Sequence, residues 1–285
     1  MNIEQVLLEK VKTTQTLSIT PILKAALEAS NRSYSQLSES RRNEEIYLQN
    51  EKWKAINDEN DAFILEFTDN EAALFLKEQQ NNIEGEYGEI FLTNKYGALV
   101  ASTAKLTTFA HGHKYWWQGA FNNGEGAVFF DDRGYDDSVG GYVLGLVVPV
   151  KEGDEIIGIL KVNLNILGAI NQIILNSQQE HTGNFTLVRS GGEIIFEEGF
   201  EPLENRVPDM VSEKLQLGDD QSFLFEDSEN EWLIGMSEIG ITSGIMDGFD
   251  FGGTFESIDH KKGNTGESWY VINYRSMENI LSYLK

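Results

Sequence analysis

The sequence predicts an α+β chain: a long N-terminal helical stalk followed by two tandem modules, each an antiparallel sheet with flanking helices. Three observations predict it. Residues 2–50 hold no glycine and one proline, Pro21, and their apolar residues recur in steps of three and four. Beyond about residue 81 the chain turns to short apolar runs bounded by glycine. That pattern then restarts: Gly88, Leu92 and Gly97 recur as Gly183, Leu187 and Gly192, each 95 residues on.

The elements follow in order. Val6, Leu7, Val11, Leu17, Ile22, Leu23, Ala26, Leu27, Tyr34 and Leu37 trace one long helix or two joined ones. Two readings stand for it: a helix packed along a globular body, or the spine of a homodimer. A second helical stretch covers 51–81, with a break expected near Asp69. Gly88 to Ser102, GEIFLTNKYGALVAS, is a hairpin turning at Asn94–Gly97. Strands are expected at 127–130, 142–150 and 155–165, with Gly153-Asp154 as the turn between the last two. A helix follows over 167–179. Gly183 to Glu197 repeats the hairpin, and a strand over 269–274 leads into a helix over 277–284. Residues 240–266 carry seven glycines and predict a surface loop with some strand. The expected boundaries are 1–80 for the stalk, 81–180 and 181–275 for the modules, and 276–285 for a terminal helix.

Composition narrows the function. The 285 residues carry 22 Lys plus Arg against 46 Asp plus Glu, a net charge of −24. Such a field repels phosphate backbones, so no nucleic-acid partner is expected. Cysteine is absent, which excludes disulfides, thiolate metal sites and cysteine nucleophiles. No apolar run reaches the length of a membrane helix, about 18 residues or more. The N-terminus lacks the basic start and apolar centre of a signal peptide. The chain is then either cytosolic or a soluble piece of something longer.

The densest chemistry lies in 109–138, FAHGHKYWWQGAFNNGEGAVFFDDRGYDDS. Trp116 and Trp117 cannot both face one way on a strand and are about 100° apart on a helix, so two readings stand for the pair: core packing, or one ring left for a pocket wall. Asp131, Asp132, Asp136 and Asp137 flank Arg133 and Tyr135. Carboxylates beside aromatic rings suit an ammonium ligand. They also leave open a hydrolase using one of these Asp with His111 or His113. His111 and His113 have no third ligand in sequence, so no metal is expected. No phosphate loop and no nucleophile elbow is present. The sequence thus offers no positive signal for an enzyme, and no cofactor is expected.

The segment HKYWWQGAFNNGEGAVFFDDRGYDDSVGGYVLGLVVPVKEGDEIIGILKVNLNI resembles the membrane-distal module of double Cache (dCache) sensor domains. The shared order is an aromatic pair on a short helix, a strand, a YDxS-type segment, a strand ending in PV, a turn, and IIGxLxxxL. Here these are Trp116–Trp117, Tyr135–Ser138, Pro149–Val150 and Ile156–Leu164. The resemblance implies two PAS-like modules on a helical stalk. It implies an extracytoplasmic (periplasmic or extracellular) sensor domain of a cell-membrane protein, most often a histidine kinase or chemoreceptor. Met1 would then be a cloning start.

Amino-acid-binding members of that family hold the ligand carboxylate with a basic residue two before the Trp; Lys114 stands there. An aromatic five residues earlier is Phe109. The YxD segment matches Tyr135 and Asp137, with Ser138 next. The family's further Asp on the last strand, an ammonium partner, aligns with Asn163, a departure that makes an amine, a carboxylate or a neutral solute as suitable as an amino acid. The site expected by resemblance is Phe109, Lys114, Trp116, Trp117, Phe129, Tyr135, Asp137, Ser138 and Asn163. The alternatives are a free solute-binding protein, the hydrolase above, and a closed distal pocket filled by the Trp pair and Phe129–Phe130.

Overall fold

The computed structural model describes residues 2–82, 85–136, 141–180, 184–218, 222–228, 230–240, 249–251 and 268–282, with backbone only at 133–136, 141, 175–180 and 249–251. Helices α1 (Ile3–Ser18) and α2 (Pro21–Ser35) are separate. Pro21 is the cause: it forces Thr20 into extended backbone, ψ 138°, and opens α2 at its first turn. Helix α3 (Glu39–Ala55) starts where the Ser38 side chain accepts from Arg41 N–H. Helix α4 (Ala62–Thr68) starts where Asp61 accepts from Phe63 N–H at 2.8 Å. Helix α5 (Glu71–Asn82) follows, so the expected break near Asp69 is present.

Strands β1 (Tyr87–Asn94) and β2 (Leu99–Ser102) precede helix α6 (Tyr115–Phe121). Then come β3 (Val128–Asp136), β4 (Gly141–Glu152), β5 (Glu155–Leu164) and α7 (Leu167–Glu180). The later elements are β6 (Asn184–Arg189), β7 (Ile194–Phe196), α8 (Asp209–Leu217), β8 (Ser222–Glu226), β9 (Glu231–Glu238), β10 (Phe249–Phe251), β11 (Trp269–Ser276) and α9 (Met277–Ser282). The fold is α+β, with N-terminal helices followed by two sheet modules.

The chain divides into two compact units. One holds the described residues of Glu9–Asn165 and β10; the other holds those of Met1–Leu8, Ile166–Asp247 and Gly266–Lys285. The first contains a six-stranded sheet in the order β10-β3-β4-β5-β1-β2. All its pairings are antiparallel except β10 on β3, which is parallel. One face carries α6 over Phe91, Phe129, Val147 and Ile159. The opposite face is apolar through Ile90, Leu92, Leu144, Leu146, Leu160 and Val162. Helix α2 packs on the sheet: Leu23 and Leu27 are fully buried, and Asn31 Nδ2 donates to the Ile157 carbonyl at 2.7 Å. Trp53 on α3 is fully buried, donates to the Leu106 carbonyl at 2.6 Å, and meets Phe63, Phe67 and Phe109 ring to ring. The helical segment thus packs along its own sheet.

The second unit has a five-stranded antiparallel sheet in the order β7-β6-β11-β9-β8. Its core is Val188, Ile194, Val211, Leu215, Ile234, Tyr270 and Ile272.

The repeat read from the sequence persists bond by bond. Gly97 N–H donates to Asn94 O and Gly192 N–H to Arg189 O, both at 2.9 Å. His111 N–H donates to Gly97 O at 2.7 Å, and Val207 N–H to Gly192 O at 2.9 Å. Ala98 bridges Ala110 as Glu193 bridges Arg206. Gly97 and Gly192 both have positive φ, +78° and +103°, a backbone that glycine adopts without strain. The segment that doubles back on each hairpin is therefore held by the same glycine carbonyl in both units.

Gly97 also sets where α6 begins. A Cβ there would lie 2.2 Å from the backbone nitrogen of Gly112, two residues before the α6 cap. Gly97→Ala is expected to cost about 2 kcal/mol or more in urea unfolding, from strained φ plus a backbone clash. A change within about 0.5 kcal/mol would show that this contact does not fix the loop.

Candidate functional site

The α6 face of the first sheet is largely apolar and carries one cluster of charged groups among the described residues. Register pairs Asp131 with Gly145, and Gly145 with Asn163, so the three sit side by side across β3, β4 and β5. Lys161 stands one pleat along, opposite Val147 and Phe91. Its ammonium reaches back over Gly145 and forms an ion pair with Asp131 Oδ2. Gly145 makes this geometry available: a Cβ there would lie 2.8 Å from both Asp131 Cβ and Lys161 Cε.

Helix α6 closes the cluster. The Tyr115 hydroxyl donates to Asp131 Oδ1. Trp116 places its ring centroid 4.4 Å from Lys161 Nζ. Asp131, Lys161 and Asn163 are each 3% exposed. Charges so far from water persist only when paired and hydrogen-bonded. Here the carboxylate has a cation and a phenol, and the cation has a carboxylate and an aromatic face.

His111 borders the same group, its ring 5.5 Å from Trp116 and 5.1 Å from Phe91. Burial, reinforced by positive charge at Lys114, Lys161 and His113, pushes its pKa down to about 3. Its Nε2 has no hydrogen-bond partner among the described residues. The imidazole is therefore a neutral, buried group and not a proton carrier at neutral pH.

The site residues expected from the sequence fall into five groups. Trp116 and Asn163 belong to the cluster, and Phe129 floors it, edge-on to Tyr115 at 6.0 Å. Trp117 is buried beside it, donates from Nε1 to Thr93 Oγ1 at 2.9 Å, and stacks on Phe121 at 4.9 Å. Both Trp are therefore core, 2% and 6% exposed. Trp117 also borders a cleft of about 590 Å3 with Asn50, Tyr96 and Gln118. Trp116 thus sits in the buried cluster, while Trp117, though buried, borders the cleft. Phe109 is fully buried among Trp53, Phe63 and Phe67, its ring 5.0 Å from Phe67. Lys114 caps α6 from a half-buried position. Tyr135 lies on β3 opposite Tyr142, with its side chain outside the described residues; Asp137 and Ser138 lie outside them altogether.

Tyr115, Asp131 and Lys161 were absent from the expected set. One signal pointed to them. Lys161 is the lone charge inside the apolar run IIGILKVNL, and a lysine buried in a central strand needs a carboxylate. Asp132, the neighbouring carboxylate, is fully buried and accepts from Tyr142 Oη at 2.9 Å.

Two outcomes test this geometry. Asp131→Asn and Lys161→Met should each cost about 3 kcal/mol, since either strands a buried charge. The double variant should cost clearly less than the sum in a urea-unfolding cycle; additive costs would mean the two groups do not interact. The second outcome concerns pH. An unfolded His111 takes a proton near its ordinary 6.5, while the folded one resists it down to about 3. Between those values the unfolded state holds the extra proton, so stability falls as pH drops below about 6.5, by up to about 1.4 kcal/mol per unit. His111→Phe should flatten that part of the stability–pH curve, and an unchanged curve would refute the assignment.

No family model and no curated protein matches this chain. Solved structures do. The extracellular domain of the histidine kinase rpHK1S-Z16 aligns at 10% identity over 98% of this chain and 97% of its own, with TM-score 0.48. The ligand-binding domain of the Campylobacter jejuni chemoreceptor Tlp3, in complex with L-norvaline, aligns at 16% identity over 95% and 94%, with TM-score 0.49. That of the Pseudomonas fluorescens chemoreceptor CtaA, in complex with L-leucine, aligns at 14% over 74% and 79%, with TM-score 0.45.

Proposed function

We propose that this chain is the extracytoplasmic ligand-sensing domain of a transmembrane signalling receptor, of the histidine-kinase or chemoreceptor kind, and does no chemistry on its ligand. The carrying observation is the buried cluster of Asp131, Lys161, Tyr115 and Asn163 against Trp116. An apolar core has no use for two desolvated charges; a binding site has. The pair offers an ammonium to a ligand carboxylate and a carboxylate to a ligand ammonium. A small zwitterion entering between them replaces one ion pair by two without leaving a charge unmatched, whereas an amine or a carboxylate alone matches one partner and must displace the other.

Signalling follows from where the cluster sits. It ties β3, β5 and α6 together, so separating Lys161 from Asp131 changes how α6 rests on its sheet. A ligand shifts that equilibrium only by its differential affinity for the two arrangements. Membrane anchorage in a longer protein and homodimerisation through the N-terminal helices belong to this reading. Among the described residues no helix is long and apolar enough to cross a membrane. The full-length gene tests the anchorage: a kinase or chemoreceptor signalling region encoded after a membrane span supports it, and a self-contained secreted protein removes it.

The binding test is a thermal-shift panel of α-amino acids, methylated amines and small carboxylates. A ligand at about 100 times its dissociation constant should add roughly 2.7 kcal/mol, a rise of a few degrees. Asn163→Asp adds negative charge beside the pair and should favour amines over carboxylates by about tenfold. No shift across the panel, or a hit indifferent to both Asn163→Asp and Lys161→Met, would sink this reading.

A further inference from the structure

The internal repeat gives the second unit a counterpart of the α6-face site. In the first unit Phe91 pairs with Lys161, and Gly145 lies between Asp131 and Asn163. Thr186 stands 95 residues after Phe91 and pairs with Ile272. Carrying the register outward, Ile272 occupies the place of Lys161, Tyr274 that of Asn163, Ile234 that of Gly145 and Phe223 that of Asp131. The ion pair has no equivalent here. Its place is apolar, and beside it the fold leaves a cavity of about 270 Å3.

The lining of that cavity has its own chemistry. Phe225, Trp232 and Tyr274 supply aromatic surface; Trp232 and Tyr274 meet at 5.8 Å with planes 74° apart, like adjoining walls of a box. Two carboxylates border the same space, Glu197 and Asp227. Glu197 is fixed by the Thr186 hydroxyl at 3.0 Å and by the Tyr274 hydroxyl. Asp227, from the acidic turn between β8 and β9, accepts Trp232 Nε1–H at 2.7 Å and so holds the indole in place. Arg206 is the cation of the lining, and its guanidinium is engaged by the Glu193 carboxylate and the Gly191 carbonyl. Burial, with Glu197 alongside, pushes the Tyr274 phenol up to about 12, so it remains a neutral donor.

Ring faces carry negative potential, and carboxylates repel anions. We propose that the cavity of the second unit binds a small organic ammonium ion, an alkylated amine of the choline type, against Trp232, Tyr274 and Phe225 with Glu197 and Asp227 as counter-charge. Its lining is separate from the Asp131–Lys161 cluster, and the proposal stands whether or not the first-unit reading does.

The experiment uses choline and its uncharged isostere 3,3-dimethyl-1-butanol on the whole chain, read on the indole N–H resonances of the five tryptophans. The Trp232 signal is the one missing from Trp232→Phe, a change that keeps an aromatic wall. Choline should move that signal saturably, at least about tenfold more tightly than the alcohol. Glu197→Gln, with an otherwise native spectrum, should weaken choline about tenfold. Three results would overturn the proposal: a Trp232 signal that stays put, equal binding of the alcohol, or choline moving only the other indoles.

Discussion

The arrangement of the first unit depends on one interaction, the ion pair that Lys161 makes with Asp131 across Gly145. It spans β5 to β3 over the strand between them, and Tyr115 and Trp116 bring α6 onto it from above. Removing two such charges from water costs several kcal/mol for each ion. The mutual attraction, the phenol and the aromatic face offset that cost, but an apolar trio would hold the same strands with none. The second unit shows this: Phe223, Ile234 and Ile272 fill the equivalent places and the sheet closes normally. Stability therefore does not explain the charges in the first unit, while the proposed recognition of a charged ligand would.

The two units also separate what the backbone dictates from what the side chains add. Gly97 and Gly192 make the same left-handed turn, and their carbonyls hold the same returning segment. That framework builds a sheet with one face covered by a helix and a loop. It says nothing about the contents of the covered face. One unit carries a buried ion pair and the other an aromatic box with carboxylates on the same framework, so function must be argued from the site and not from the fold.

Much of this framework was legible in the sequence because its causes are local. Pro21 ends one helix and opens the next; Asn94 accepts from Tyr96 and Ala98 N–H to make the turn that the hairpin needs; Gly153-Asp154 joins β4 to β5. The site was legible only in part, because its causes are not local. Asp131 and Lys161 are 30 residues apart and meet only through register. In the sequence Asp131 is one of four neighbouring Asp, and Lys161 is a single charge within an apolar run. The parallel pairing of β10 with β3 is equally non-local, joining Phe249 to Val128. Phe109 was placed by family resemblance, yet its ring contacts are set by Trp53 and Phe63 on preceding helices, beyond the reach of any motif.

Under the proposed readings, the buried groups also decide what each covered face would accept. In the first unit, Asp131 and Lys161 cancel, and His111 is held neutral beside them by burial. A ligand of net charge added to that group would leave a desolvated charge unmatched unless it displaced one partner. A zwitterion meets both partners at once, which favours it over a simple ion on Coulomb grounds alone. In the second unit, the carboxylates of Glu197 and Asp227 face aromatic walls, and Arg206 is matched elsewhere by Glu193. The balance there calls for a cation. Two sites on one backbone pattern would thus report two chemically different solutes.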